Sequence, residues 1–160
     1  MTTRILLKPH LAKFITELYG NPVVLPAKTE LSYWFKVFLC KDFELVPHTA
    51  DGKVSVNFAI SENIAEGIGH TFPLAQMEFF NLVLTRYFNA TTYAMMLFLV
   101  NEKKMSERSA AVALHTRLGL EDHEYSIEAF RFNQKMRKKT LEEFFLNPLP
   151  TTIAPCTQKQ

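Results

Sequence analysis

The sequence predicts a mainly helical α+β domain with a small β-hairpin. The 160 residues are 48% hydrophobic and include 14 phenylalanines but only five glycines, which favours an aromatic core packed mostly by helices. Most apolar residues recur with a helical period, whereas residues 54–60 alternate between apolar and polar. We therefore expect residues 1–146 to form a single domain. The proline-containing residues 147–160 are expected to be a disordered tail.

Capping residues predict the first two helices. Pro9 suits a first helical turn and Gly20 lies just past an end, so residues 9–19 should form an amphipathic helix. Thr29 can cap a second helix with a wide apolar stripe. We expect that stripe to face the core; its members are Leu31, Trp34, Phe35, Phe38 and Leu39.

The alternating residues 54–60 predict a half-buried strand. It follows Asp51-Gly52, a strong turn signal, and the apolar residues Phe43 and Leu45 precede that turn. These features predict a hairpin over about residues 43–60. A two-stranded hairpin is marginally stable alone, so we expect it to pack on helices.

The most apolar part of the chain begins at Pro73. An apolar pattern predicts a helix up to about Phe88, and we expect residues 89–92 to break it before a further helix that ends near Val100. The segment from Tyr93 to Val100 is apolar on nearly every side. Such an element is usually central to the fold or buried in an oligomer contact, and the sequence leaves both possibilities open.

A cytoplasmic protein is expected from the ends of the chain and from its cysteines. Only a three-residue apolar run precedes Lys8 and Pro9, too short for the apolar part of a secretion signal. The segment from Tyr93 to Val100 is far shorter than the roughly 20 residues of a membrane-spanning helix. Cys40 and Cys156 lie far apart and suggest neither a disulfide framework nor a metal knuckle.

Residues 106–145 predict a pair of helices similar to a helix-turn-helix. Ser106 can cap the first helix, which should stop at Gly119, and the last helix is expected from Asp122 to about Phe145. Two residues depart from the motif. His115 stands where the motif prefers a small residue, and Glu128 stands where it prefers a buried one. Five residues fall at suitable offsets: Leu114, Leu118, Gly119, Leu120 and Tyr125.

The distribution of charge within this pair of helices is consistent with two interpretations. Arg131, Lys135 and Lys138 recur at the spacing of one helical stripe, and the preceding cations Lys103, Lys104 and Arg108 could extend it. Together they would contact the phosphates of double-stranded DNA. The alternative is an ordinary solvated face, because acidic residues at a helix start and basic residues near its end also match the helix dipole. The net charge of +2 is too small to decide.

Three motifs carry a family resemblance. They are Tyr19-Gly20-Asn21-Pro22 before a capped helix, Phe80-Asn81 at the start of the long helix, and Gly119-Leu120 followed by acidic residues and then a basic helix. In these features the chain resembles small uncharacterised proteins of bacterial mobile elements and prophages that have a C-terminal helix-turn-helix-like pair. The resemblance covers most of the chain. It implies a role in mobile-DNA biology, with DNA binding or regulation as the function.

The sequence contains no motif for catalysis. It has no nucleophile and base at motif spacing, no glycine-rich phosphate loop, and no histidine pair at metal-ligand spacing. We therefore expect no enzyme activity, cofactor, metal or small-molecule substrate. The expected function is a homodimeric DNA-binding or regulatory protein. The alternative is a non-catalytic interaction or oligomerisation module that uses Tyr93–Val100 and the long helix as its partner surface.

Overall fold

A computed structural model describes residues 1–41 and 52–146, with the backbone alone for residues 74, 75 and 140–146. Within these ranges it has a mainly helical α+β fold with a small antiparallel sheet, as the sequence predicts. The predicted tail, residues 147–160, lies outside the described residues. In chain order the elements are β1 (Thr2–Leu7), α1 (Pro9–Tyr19), α2 (Glu30–Val37), β2 (Val54–Ala59), α3 (Glu62–Gly67), α4 (Leu74–Asn101), α5 (Glu107–Arg117) and α6 (Ile127–Leu146).

The strand predicted at residues 54–60 is confirmed as β2, but its described partner comes from the start of the chain. β1 pairs with it antiparallel, in a register that runs from Thr2 opposite Ala59 to Leu7 opposite Val54. On the other edge Val23 forms a bridge with Phe58. The partner predicted around residues 43–45 lies outside the described residues. β1 escaped prediction because Ile5, Leu6 and Leu7 are all buried, which hides the alternation of a strand.

The predicted helix break at residues 89–92 is wrong, because α4 runs without interruption from Leu74 to Asn101. Polar side chains of residues 89–92 form hydrogen bonds that do not interrupt the backbone of the helix. The hydroxyl of Thr92 donates to the Phe88 carbonyl (2.8 Å), and Asn89 Oδ1 accepts from the Asn133 amide (3.3 Å). No helix among the described residues combines the length and the hydropathy needed to cross a membrane.

Two aromatic clusters pack against α4 and form most of the core. One surrounds Phe80, which is fully buried among the rings of Phe35, Phe58 and Phe72. It joins α2 and β2 to α4. The other surrounds Phe88 and contains Phe14, Tyr125 and Phe130. That second cluster joins α1 and the C-terminal helix pair to the same helix.

A buried asparagine connects α4 to the end of β1. The Asn81 side chain is 2% exposed; its Oδ1 accepts from the Lys8 backbone N–H (3.0 Å), and its Nδ2 donates to the carbonyls of Leu6 (2.9 Å) and Met77 (2.8 Å). The bonds to Lys8 and Leu6 satisfy backbone groups where β1 ends and α1 begins. Phe80-Asn81, one of the motifs in the family resemblance, thus provides a core ring and a buried polar link.

The segment between α3 and α4 is held by a backbone contact that only glycine permits. Cys40 and Thr71 exchange two backbone hydrogen bonds, of 3.0 and 3.1 Å, and so tie the chain after α2 to the chain before α4. Gly69 lies against this pair with φ of +133°, and a Cβ atom there would lie 2.1 Å from the Cys40 carbonyl carbon. Any larger side chain would push the two segments apart.

We predict that Asn81→Leu lowers the free energy of unfolding by about 2–4 kcal/mol, because the substitution leaves the Lys8 N–H and the Leu6 carbonyl buried without partners. Urea denaturation followed by circular dichroism would measure this. The matched control is Asn101→Leu at the exposed end of α4, which should change stability by less than about 0.5 kcal/mol. Equal effects of the two substitutions would contradict the assigned role of Asn81.

Candidate nucleic-acid interface and the adjoining cleft

The C-terminal helix pair differs from a helix-turn-helix in its connection. α6 begins at Ile127, five residues after the predicted start at Asp122, so residues 118–126 link it to α5. This connection has nine residues, whereas a helix-turn-helix uses about three or four. Leu118 and Leu120 are buried on either side of Gly119, which has φ of +58°. The apolar anchors predicted for the turn are therefore in place, but the turn is not tight.

The acidic residues of this connection bind α1. Lys13 Nζ lies 2.7 Å from Glu124 and 3.6 Å from Glu121, and the Glu121 N–H donates to the Glu124 carboxylate (3.0 Å). Burial tends to raise the pKa of Glu124, but the hydrogen bonds from Lys13 and Glu121 outweigh it and hold that pKa below its ordinary value. One lysine thus faces two carboxylates in the connection, and neither carboxylate belongs to the first turn of α6.

The three cations predicted on α6 lie in different surroundings. Lys135 and Lys138 are exposed, and neither forms an ion pair within residues 1–41 and 52–139. Arg131 instead donates two hydrogen bonds to the Glu128 carboxylate, of 2.9 and 3.0 Å. Phe132 lies near them on the helix and is 63% exposed. The outward face of α6 therefore combines two unpaired lysines with an exposed aromatic ring.

The other three predicted cations lie at the turn between α4 and α5. Lys103 Nζ is 5.6 Å from the ring centroid of Phe98, within the range of a cation–π contact. Lys104 has φ of +54° in the turn itself, and Arg108 is exposed in the first turn of α5. All three can reach solvent. They are carried by a different element from Lys135 and Lys138.

A cleft that the sequence did not predict lies between α2, α4 and α6. It has a volume of about 450 Å³. Its residues are far apart in the chain, and each has an ordinary pattern within its own helix, so no local signal identifies the cleft. Three aromatic and three charged residues line much of it: Trp34, Phe79, Tyr87, Glu30, Arg86 and Arg137.

His10 contacts both the long helix and the α5–α6 connection. Its ring lies 5.4 Å from that of Phe88 and 5.1 Å from that of Tyr125, measured between centroids. Burial, assisted by the positive charge of Lys8 and opposed by Glu124, lowers the pKa of His10. The folded protein therefore favours the neutral imidazole.

We predict that the protein loses stability as the pH falls from about 7 to 5, through the ordinary histidine pKa of about 6.5. Because the pKa of His10 is lower in the folded than in the unfolded state, its contribution is complete above the unfolded pKa and is lost below it. His10→Gln should flatten this dependence in urea denaturation at several pH values. The matched control is His70→Gln, which removes an exposed imidazole outside the core. Identical slopes for wild type and His10→Gln would contradict the assignment.

The comparisons with known proteins identify no family for this chain. No family model, no curated protein and no solved structure matches it. Within the described residues, no group of three or more His, Cys, Asp or Glu side chains could hold a metal ion. The function must therefore be argued from the two surfaces described above.

Proposed function

We propose that this protein is a non-enzymatic DNA-binding or regulatory protein of a bacterial mobile element, and that the outward face of α6 contacts DNA phosphates. The observation that supports this most is the exposure of Lys135 and Lys138 without an ion pair in residues 1–41 and 52–139. An unpaired surface ammonium group retains its full charge for a phosphate. Its binding releases counterions from the DNA, which favours association.

The balance of charge along α6 supports the same proposal. From Ile127 to Lys139 the helix carries five basic residues and one acidic residue, Glu128, which is bound by Arg131. Two acidic residues, Glu142 and Glu143, follow in the last turns of α6. Lys135 and Lys138 therefore form a positive patch about one helical turn long.

The long connection between α5 and α6 indicates how the DNA would be contacted. Phosphate contacts position a protein on DNA without reading sequence, whereas base contacts need side chains that reach base edges in a groove, often from a helix in the major groove. A nine-residue connection lacks the tight helix-turn-helix geometry that presents the start of a recognition helix. We therefore propose phosphate contacts by α6, with Lys103, Lys104 and Arg108 in a flanking role. The proposed setting is the cytoplasm, where such DNA is found.

We predict that Lys135→Glu combined with Lys138→Glu weakens binding to duplex DNA at least tenfold, because two phosphate contacts become repulsive. The negative slope of the logarithm of affinity against the logarithm of salt concentration should decrease in magnitude by about 2, near 0.9 per lost phosphate contact. Fluorescence anisotropy with labelled duplexes at several salt concentrations would measure both.

The control for this experiment is Lys28→Glu combined with Lys41→Glu, which changes the net charge equally at exposed lysines near α2. It should affect DNA affinity only slightly. Circular dichroism should show the same helical signal for both variants. The proposal is wrong if the two variants weaken binding equally, or if the wild-type protein does not bind DNA at moderate salt.

A second candidate function, a homodimeric interaction module, is favoured by the exposed apolar side chains of α4. Leu97 is 37% exposed and Phe98 is 53% exposed, and Phe79 and Leu82 are also exposed on this helix. The segment from Tyr93 to Val100 is thus only partly used by the core, although Met96 is buried in it. Neighbouring apolar groups left in water are typical of protein contacts.

We predict that, if α4 forms this contact, Phe98→Asp converts a dimer into monomers, because a carboxylate would be buried in the apolar contact. Size-exclusion chromatography with light scattering would measure the mass. Val112→Asp, at an exposed apolar position on α5, is the matched control and should leave the mass unchanged. A monomeric wild-type protein would exclude this second candidate.

A further inference from the structure

The cleft between α2, α4 and α6 has the features of a small-molecule site. We propose that it binds an anion that carries an aromatic ring, of the size and chemistry of a nucleoside monophosphate. This proposal does not depend on DNA binding by the outward face of α6. It rests on the volume of the cleft, its aromatic walls and its two arginines.

The size and walls of the cleft suit a planar ring. Its volume of about 450 Å³ lies within the roughly 300–1,000 Å³ of ordinary ligand pockets. The Trp34 ring stacks on Phe38, with centroids 5.9 Å apart, and lies 6.2 Å from the ring of Phe79. Because these neighbours fix the indole, a ligand ring could stack against it with little loss of side-chain freedom.

The charges of the cleft favour an anion. Arg137 has its guanidinium carbon 5.9 Å from the Tyr93 ring centroid, within the range of a cation–π contact. Its guanidinium carries five N–H donors. Arg86 is exposed on α4. Glu30 is the one carboxylate among the lining residues, and within the described chain no ion pair joins it to either arginine. Two such donor groups suit a phosphate or carboxylate.

The tyrosine on the cleft wall is hydrogen-bonded to a second tyrosine. Tyr87 and Tyr19 share a hydrogen bond of 2.8 Å between their hydroxyl groups. Burial, together with this bond, raises the pKa of Tyr19 to about 12. The Tyr19 hydroxyl therefore remains protonated at neutral pH. The cleft has a net charge of +1 from Arg86, Arg137 and Glu30.

The single tryptophan makes the test specific to this site. Trp34 is the only tryptophan in the chain and lines the cleft, so its fluorescence reports binding there directly. We would titrate the full chain with adenosine monophosphate, adenosine and inorganic phosphate, and excite at the red edge of the tryptophan band to avoid absorption by the ligand. The monophosphate should quench saturably. Adenosine and phosphate should each bind at least tenfold more weakly, because adenosine lacks the anionic group and phosphate lacks the aromatic ring.

Substitutions of the charged residues test the proposed contacts, because some should weaken binding and one should strengthen it. Arg86→Gln and Arg137→Gln should each raise the dissociation constant about tenfold, a typical cost of losing one charge-assisted hydrogen bond. Glu30→Gln should lower it, because a repulsive carboxylate is removed. Arg117→Gln, at an exposed arginine at the end of α5, is the matched control and should leave it unchanged.

Three results would overturn the proposal. They are the absence of saturable quenching by the monophosphate, equal binding of adenosine, and unchanged affinity in both Arg86→Gln and Arg137→Gln. The variant with Lys135→Glu and Lys138→Glu separates this site from the DNA proposal. It should bind the monophosphate as tightly as wild type, so that loss of DNA binding would not count against the cleft.

Discussion

The arrangement of this protein depends on the attachment of one long helix, α4, to the first strand through a buried amide. Asn81 satisfies two backbone groups where β1 ends and α1 begins, and it does so from the centre of the core. Since buried polar groups are costly without partners, this link fixes where the strand meets the helix. The aromatic clusters around Phe80 and Phe88 then pack on either side of that fixed point.

One helix, α6, contributes to both candidate functional surfaces. Successive residues of an α-helix are about 100° apart around its axis, so Arg137 can line the cleft while Lys138 faces solvent. A ligand in the cleft would contact the same helix that is proposed to meet phosphates. The two proposals are chemically related, because both use cations of α6 to recognise anions, but they concern different faces of the helix.

Local signals predicted those parts of the fold that local chemistry determines. Pro9, Thr29 and Ser106 marked the starts of helices correctly, because each acts within a single turn. The continuity of α4 could not be predicted, because Asn89 finds its partners on other elements only after folding. The cleft also could not be predicted, since its residues meet only through packing. Of the candidate cations, the sequence identified exposed lysines but not the pairing of Arg131 with Glu128.

The pairing of β1 with β2 has a consequence for how the chain folds. Its partners, such as Leu7 and Val54, are separated by a long stretch of sequence, so the entropy of closing that loop is lost before any ladder hydrogen bond forms. During synthesis β1 emerges before β2 and lacks this partner while α1 and α2 can already form. Its apolar residues Ile5, Leu6 and Leu7 are accessible in that interval, and unpaired apolar strands favour association between chains.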